Sequence, residues 1–163
     1  MDNKILIEQS QHWEKSFSSK PEMFGSEPSH SAKIALEKFK KNNVKHIIEL
    51  GAGLGRDTIF FAKNSIKVTA LDYSPTAVEI IKNKSNSLGL NDLIEVQTHD
   101  LRQKLNFKDN SFDGCYSHML YCMAFTYPEL ENLNNEIFRV LNKDSLNIYT
   151  VSYTHLRAHE TRP

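Results

Sequence analysis

A cluster of three glycines and a later aspartate are the residues of this sequence best suited to binding a ligand. The segment Glu49-Leu50-Gly51-Ala52-Gly53-Leu54-Gly55 follows a short aliphatic run, and Asp72 ends the next such run, 21 residues after Gly51. Glycines accept positive φ angles and let a ligand approach the backbone, because they carry no Cβ. A carboxylate at the end of the second strand of such a unit accepts hydrogen bonds from ribose hydroxyls. The pair therefore predicts a site for a cofactor that contains a nucleoside.

The spacing of the glycines distinguishes between cofactors. With Gly51 and Gly53 as its first two glycines, the dinucleotide-binding pattern G-x-G-x-x-G requires a third glycine at position 56, where helix and strand pack closely. Arg56 occupies that position instead. A guanidinium fits such a close contact poorly, so an NAD(P)-dependent oxidoreductase is the disfavoured alternative.

These motifs resemble those of the class I S-adenosylmethionine-dependent methyltransferases. The resemblance rests on Glu49–Gly55, on Asp72 and on Thr98-His99-Asp100-Leu101, and it covers about residues 30–150. It implies that the backbone of Gly51 and Gly53 lies against the methionine and ribose part of S-adenosylmethionine, and that Asp72 binds the ribose diol. It also implies that Asp100 and the Leu101 amide lie at the adenine edge. The predicted cofactor-binding residues are Glu49, Gly51, Ala52, Gly53, Gly55, Asp72, Tyr73, Asp100, Leu101 and Ser117.

Three further segments narrow the resemblance. Gly55-Arg56-Asp57-Thr58, Ala70-Leu71-Asp72-Tyr73-Ser74 and the pattern from Asp109 to Asp113 are similar to the small-molecule methyltransferases grouped with tellurite-resistance-type enzymes. The implied activity is methyl transfer to a small-molecule acceptor by in-line displacement. Such a reaction depends on holding the nucleophile about 3–3.5 Å from the methyl group with water excluded. No catalytic triad is therefore expected.

Candidate catalytic residues follow the fourth predicted strand, in the segment from Tyr116 to Cys122. A face formed by Tyr116 and Tyr121 could stabilise a sulfonium by cation–π attraction. His118 could accept a proton from a substrate hydroxyl, amine or thiol, or it could be a packed, hydrogen-bonded histidine. Met119, Met123 and Phe125 suit the core or the lining of a pocket. His46 and His99 are expected to be structural or solvated, and no histidine and carboxylate spacing suggests a metal site.

The aromatic residues near the N-terminus suggest a cover for the site. Trp13, Phe17, Met23 and Phe24 precede the first predicted strand, and residues 1–30 are interpreted as a helical or lid segment that closes over the cofactor. The alternative is an N-terminal helix packed on the edge of the sheet.

The elements that position these residues alternate between helix and strand. Helices are predicted over Ser31–Asn42, with Ser31 as the cap, from Asp57, from Ser74-Pro75 to a left-handed cap at Gly89, and after the capping box Thr126-x-x-Glu129. Strands are predicted over 44–50, 66–71, 93–98, 114–118 and 146–151. The alternation predicts an α/β, Rossmann-like, doubly wound and mostly parallel sheet. The implied class I fold has seven strands, and five are found.

The end of the chain differs from the rest. Residues 151–163 contain no lysine and resemble translated vector or adaptor sequence, so 31–150 is interpreted as an incomplete S-adenosylmethionine-binding domain followed by a non-native tail. The alternative is a genuine polar extension. A shortened chain also leaves open a non-catalytic fragment that binds the nucleoside cofactor without completing the reaction.

Composition excludes several other classes of function. The 163 residues carry 20 basic and 20 acidic side chains, which gives no electrostatic footprint for nucleic acid or an anionic membrane. No apolar run approaches the roughly 20 residues of a membrane helix, and the N-terminus lacks the layout of a secretory signal. Cys115 and Cys122 are too few and wrongly spaced for a disulfide framework or zinc site. A cytoplasmic enzyme is expected.

Overall fold

The computed structural model describes residues 3–151, with side chains from residue 8 onward, so residues 152–163 of the predicted tail lie outside the described part. The helices are α1 (Asn3–Ser19), α2 (His30–Lys41), α3 (Arg56–Lys63), α4 (Pro75–Leu88) and α5 (Tyr127–Val140). The strands are β1 (His46–Leu50), β2 (Lys67–Asp72), β3 (Ile94–Thr98), β4 (Phe112–His118) and β5 (Leu141–Thr150), and a short 3-10 helix spans Leu120–Cys122. In this part of the chain no helix has the length and apolar character needed to cross a membrane.

The five strands form one parallel sheet in the order β3-β2-β1-β4-β5. Leu50 at the end of β1 pairs with Leu71 of β2 and with Ser117 of β4, so the carboxyl ends of these strands lie level. Strand order reverses direction beside β1, which is where open α/β sheets bind ligands. The predicted Rossmann-like α/β fold is confirmed.

Alternate residues of the strands build the two layers of core on either side of the sheet, as the period of two requires. Ile47, Val68 and Tyr116 face Phe39 of α2 and Phe61 of α3. On the opposite face a second cluster joins β1, β2 and β4 to α5 and to the irregular connection after β3; it includes Ile48, Leu50, Cys115, Leu101, Leu105, Leu133 and Ile137. Both faces are therefore covered, as a fully parallel sheet requires.

Three of the predicted helix caps are confirmed, and a different residue forms the fourth. Ser74 accepts a hydrogen bond from the Ala77 amide, Gly89 is left-handed, and Thr126 forms the predicted capping box. The cap of α2, however, is Ser29, whose hydroxyl accepts from the Ala32 amide at 3.0 Å, rather than Ser31. The helix begins at His30, one residue before its predicted start, because the backbone is extended at Ser29 and this residue caps the helix. The Ser31 hydroxyl is then available for other partners.

The pattern from Asp109 to Asp113 stabilises the end of the sheet away from the glycine cluster. Asp113 accepts hydrogen bonds from the amides of Lys45 and His46 at 3.1 and 3.0 Å and from the side chain of Asn142 at 2.9 Å. It therefore fixes the amino end of β1 against β4 and β5. Asp109 accepts from Arg139 of α5 at 2.8 Å. These two carboxylates serve the fold.

Candidate functional site

A cavity of about 660 Å³ opens at the carboxyl ends of β1 to β4. A volume of this size holds a drug-sized ligand. Its walls come from α1, from the segment that carries Phe24, and from the loops that follow the first four strands. The cavity therefore lies where the order of the parallel strands reverses, at the position predicted from the glycine cluster.

Asp72 is the buried carboxylate at the centre of this cavity. Its Oδ2 accepts a hydrogen bond from the Gly53 amide at 2.8 Å, and its Oδ1 accepts from the Ser74 amide at 3.0 Å. Burial raises the pKa of Asp72, and the hydrogen bonds from Ser74 and Gly53 oppose that shift. A carboxylate has about four acceptor positions, so Asp72, which lines the cavity, keeps acceptor capacity for a donor there. That arrangement suits a vicinal diol.

The glycine loop is folded tightly over the end of β2. Gly51 and Gly53 have φ angles of 72° and 53°, and the Gly51 amide donates to the Leu71 carbonyl at 2.8 Å. Gly51, Ala52 and Gly53 line the cavity with their backbone. A Cβ on Gly51 would lie 3.2 Å from Leu120 Cδ1, so a residue larger than glycine at position 51 would displace the Leu120 side chain.

Gly55 has a different role from the one predicted, because it does not line the cavity. Its φ is 77°, and a Cβ there would lie 2.6 Å from Ile81 Cγ1 of α4. Gly55 therefore permits the close approach of α3 and α4. This close contact, expected at position 56 in a dinucleotide fold, is made one residue earlier, while Arg56 lines the cavity.

Glu49 is a fully buried acid beneath the glycine loop. Its Oε2 accepts a hydrogen bond from Thr58 Oγ1 at 2.6 Å, and the side chain lines the cavity. Burial and the neighbouring Asp57 raise the pKa of Glu49 to about 8, although the Thr58 hydrogen bond lowers it. A cationic group entering the cavity would favour the ionised form of this acid.

The loop after β3 brings Asp100, Leu101 and His99 to the cavity. Asp100 accepts hydrogen bonds from Arg102 Nε at 2.8 Å and from its terminal nitrogen at 2.6 Å. These hydrogen bonds lower the pKa of Asp100. His99 was not expected at the site, yet it lines the cavity, and its buried Nε2 has no hydrogen-bond partner among the described residues. A buried nitrogen without a partner is energetically costly.

The remaining walls are apolar and come from distant parts of the chain. Trp13 and Phe17 of α1 lie with ring centroids 5.6 Å apart, and Trp13 lies 6.3 Å from Phe24. The segment after β4 contributes Met119, Leu120, Met123 and Phe125. We call these seven residues the apolar wall. They border the same cavity as the carboxylates without contributing a charge.

Side-chain hydrogen bonds fix α1 over the site. The Glu14 carboxylate accepts from the hydroxyls of Ser74 and Thr76, at the start of α4. These hydrogen bonds lower the pKa of Glu14. Gln9 Oε1 accepts from the Ala124 amide at 2.9 Å, which joins α1 to the segment after β4. The first helix therefore contacts both sides of the cavity opening.

The candidate catalytic residues are separated by the structure. His118 lines the cavity. Tyr116 lies two residues earlier on the same face of β4, where it is fully buried with its ring centroid 5.0 Å from that of Phe61. The Tyr121 hydroxyl donates to Asn134 at 2.8 Å, and its ring packs on Tyr149. Neither tyrosine presents a face to the cavity, and buried Ser117 does not line it either.

Asp57 is the site residue that the sequence interpretation missed. The sequence predicts only that a helix begins there, yet Asp57 is buried and borders the cavity. A signal for it is its position two residues after Gly55 of the glycine cluster. Among the residues with described side chains, no group of three His, Cys, Asp or Glu residues is placed to hold a metal ion.

Comparison with known proteins shows which family the chain belongs to. Residues 47–144 match the family described as a methyltransferase domain. A 24-methylenesterol C-methyltransferase of Arabidopsis thaliana is 30% identical over 139 residues, which cover 82% of this chain and 38% of that protein. A sterol 4-C-methyltransferase of Caenorhabditis elegans is 30% identical over 105 residues, covering 64% of this chain and 30% of that protein. The chain thus spans about a third of the length of these curated relatives.

Solved structures agree with the fold. A protein of Methanococcus maripaludis described as an S-adenosyl-L-methionine-dependent methyltransferase has a TM-score of 0.65 at 20% identity, covering 88% of this chain and 63% of that one. A likeness at that identity speaks for the fold, and the family assignment rests on the domain match, which spans more than half of the sequence. The chain accordingly belongs to the methyltransferase-domain family, and its fold is that of the class I S-adenosylmethionine-dependent methyltransferases.

Proposed function

We propose that the cavity binds S-adenosylmethionine and that the protein transfers its methyl group to a small-molecule acceptor. When bound, S-adenosylmethionine supplies a methyl group activated by a sulfonium sulfur. The observation that carries the proposal is Asp72, which accepts a hydrogen bond from the glycine loop and lines the cavity with acceptor capacity to spare. The family match supports methyl transfer over the oxidoreductase alternative.

The cofactor-binding roles proposed for the individual residues follow their positions. Asp72 would accept both ribose hydroxyls, while the backbone of Gly51, Ala52 and Gly53 would lie against the ribose and the methionine part. Asp100 and the Leu101 amide, at the far side of the cavity, would contact the adenine edge. Glu49 and Tyr73 would border the same ligand, and their lining of the cavity supports this assignment.

The apolar wall would hold the body of the methyl acceptor. It lies beside the glycine loop, since Phe17 and Phe24 are the side chains nearest to a Cβ built on Gly53, at 3.8 and 4.0 Å. Apolar side chains exclude water, which in-line displacement requires because water competes for the methyl group. The curated relatives are named as sterol methyltransferases, and an acceptor with a hydrophobic body fits this wall.

Residues 1–30 would act as the lid of a binding domain that spans 31–150. The aromatic side chains of α1 and Phe24 support this role, because they border the cavity and contact one another. Arg56 lies over the Phe24 ring, 5.7 Å from its centroid, and joins this segment to α3. We place the enzyme in the cytoplasm, on its balanced content of acidic and basic side chains.

Calorimetric titration tests the proposal. S-adenosylmethionine and S-adenosylhomocysteine should each release heat on binding to the folded protein, and NADH should not. Absence of heat with both sulfur ligands, on a sample whose circular dichroism shows the folded sheet, contradicts the proposal. Binding of both ligands without methyl transfer to any acceptor would favour the non-catalytic fragment instead.

A further inference from the structure

A chain of hydrogen bonds connects buried Asp57 with His118 at the cavity. The Tyr116 hydroxyl lies 3.0 Å from Asp57 Oδ2 and 2.9 Å from Ser31 Oγ. Ser31 Oγ lies 2.9 Å from His118 Nδ1. Three elements meet here, because Asp57 belongs to α3, Ser31 to α2, and both aromatic residues to β4.

The direction of these hydrogen bonds follows from the number of protons available. Asp57 accepts the amide and the hydroxyl of Ser29, each at 2.7 Å, and a carboxylate can only accept. The Tyr116 hydroxyl donates to Asp57 Oδ2. With the protons of Tyr116 and Ser29 directed to Asp57, the 2.9 Å contacts of Ser31 Oγ with these two oxygens can be hydrogen bonds only if Ser31 donates. Ser31 then offers only a lone pair to the ring of His118.

On this assignment His118 Nδ1 carries the proton in its hydrogen bond with Ser31. Thr150 Oγ1, at 2.9 Å, is a second neighbour of Nδ1 and already accepts the Met119 amide at 3.0 Å. It can accept from Nδ1 as well, since a hydroxyl has two lone pairs. The other ring nitrogen, Nε2, makes no hydrogen bond to any residue with a described side chain.

We propose that Asp57, Tyr116 and Ser31 are positioning residues that hold the proton of neutral His118 on Nδ1, which makes Nε2 the proton acceptor of the cavity. The inference rests on the proposed methyl transfer and assigns its acceptor class, namely acceptors that release a proton from oxygen, nitrogen or sulfur. The acceptor atom forms a bond to the methyl carbon, the carbon–sulfur bond breaks with its electron pair on sulfur, and the acceptor's proton passes to Nε2.

The surroundings of the ring support this role. Burial lowers the pKa of His118, and so does Arg56, while Asp57 raises it. A lowered pKa leaves the imidazole neutral and able to accept a proton near neutral pH. Once protonated, the ring donates from Nδ1 along the chain toward Asp57, so the new charge lies close to a buried carboxylate. The same logic orients the histidine of hydrolase triads through a carboxylate.

Nuclear magnetic resonance of the ¹⁵N-labelled protein tests the tautomer directly. Two-bond proton–nitrogen correlations of neutral His118 should show a protonated Nδ1 and a bare Nε2, and acidification should add the proton at Nε2. Tyr116→Phe keeps the ring and removes the hydroxyl, so the population with the proton on Nε2 should rise several-fold. Ser31→Ala breaks the chain at another point and should have the same effect. Tyr121→Phe is the matched control, because that hydroxyl donates to Asn134 outside the chain.

Two results would overturn the inference. One is a wild-type His118 that carries its proton on Nε2, with Thr150 donating to Nδ1. The other is a wild-type Nδ1 tautomer that neither Tyr116→Phe nor Ser31→Ala changes, which would remove Asp57 and its partners from any positioning role. Because the resonances are read without a ligand, failure of this inference is distinct from failure of S-adenosylhomocysteine to bind.

Discussion

The two sides of the cavity are built in different ways. The side proposed for the cofactor consists of strand ends and the loops directly after them, where Asp72, Glu49 and Asp100 are fixed by hydrogen bonds. The side proposed for the acceptor is the apolar wall, whose residues come from α1, from Phe24 after it, and from the segment that follows β4 much later in the sequence. The cofactor side is polar, and each of its carboxylates lies within a few residues of the end of a strand. The acceptor side is apolar and combines residues that are far apart in the sequence.

This difference separates recognition of the cofactor from choice of the acceptor. Carboxylates and backbone amides at strand ends recognise a ligand through directed hydrogen bonds, and the sheet holds them at fixed separations. An apolar wall made of side chains from a docked helix can change shape with few substitutions. We therefore expect changes on the cofactor side to abolish binding and changes on the acceptor side to leave cofactor affinity nearly unchanged.

The largest expected effect is on the cofactor side. Asp72→Ala removes both proposed contacts to the ribose diol and should weaken S-adenosylhomocysteine binding by about 3–5 kcal/mol, since hydrogen bonds to charged groups contribute about 1.5–3 kcal/mol each. Isothermal calorimetry measures the loss. Asp92→Ala, at an exposed position, should bind like the wild type. Equal affinity of the Asp72 variant and the wild type would remove Asp72 from the site.

The packing of α4 against Gly55, behind the glycine loop, should be nearly as sensitive to substitution. Gly55→Ala places a Cβ 2.6 Å from Ile81 Cγ1 at a φ of 77°, and should lower the free energy of unfolding by about 2–3 kcal/mol. Gly89→Ala is the matched control, because Gly89 is also left-handed but has no atom within 4 Å of its Cβ position, so about 1 kcal/mol of strain is expected. Urea denaturation compares them. Equal losses of unfolding free energy in the two variants would mean that α4 moves to accommodate the new Cβ at no cost.

The buried acid of the cofactor side should make stability depend on pH. Glu49 titrates near 4.5 when unfolded and at about 8 in the fold, so the folded state binds more protons between these values and the free energy of unfolding falls as pH rises through that window. Glu49→Gln keeps an acceptor for Thr58 and removes the charge. Unfolding measured across the window should favour the variant by about 1–2 kcal/mol at the alkaline end. If the free energies of unfolding of the two proteins depended on pH in the same way, the raised pKa of Glu49 would be contradicted.

The smallest effect is expected from the acceptor side. Glu14→Gln weakens the hydrogen bonds from Ser74 and Thr76 that fix α1. Amide hydrogen exchange in α1 should accelerate about two- to five-fold, while affinity for S-adenosylhomocysteine changes less than about three-fold. The exposed Glu22→Gln serves as control. A large loss of cofactor affinity in the Glu14 variant would show that the two sides of the cavity are not separable.

The local signals of the sequence determined the sheet, the site position and three of the helix caps. Short aliphatic strands, the glycine cluster and Asp72 are each encoded within a few residues, and the parallel sheet brings the ends of such strands together. Where side chains point was less predictable. Tyr116 and His118 are two residues apart on one strand, yet only His118 reaches the cavity, because the strand ends there and its loop turns toward the site.

What the sequence by itself determined is therefore a class I methyltransferase fold and the position of the candidate site, at the carboxyl ends of its strands. Only the tertiary structure showed that Gly55 serves helix packing, that His99 borders the cavity, and that Asp57 is linked to His118 through Tyr116 and Ser31. The physical reason is that these relations join residues of different elements across a buried interface. Their distances depend on how helices dock on the sheet, which periodicity and local spacing do not specify.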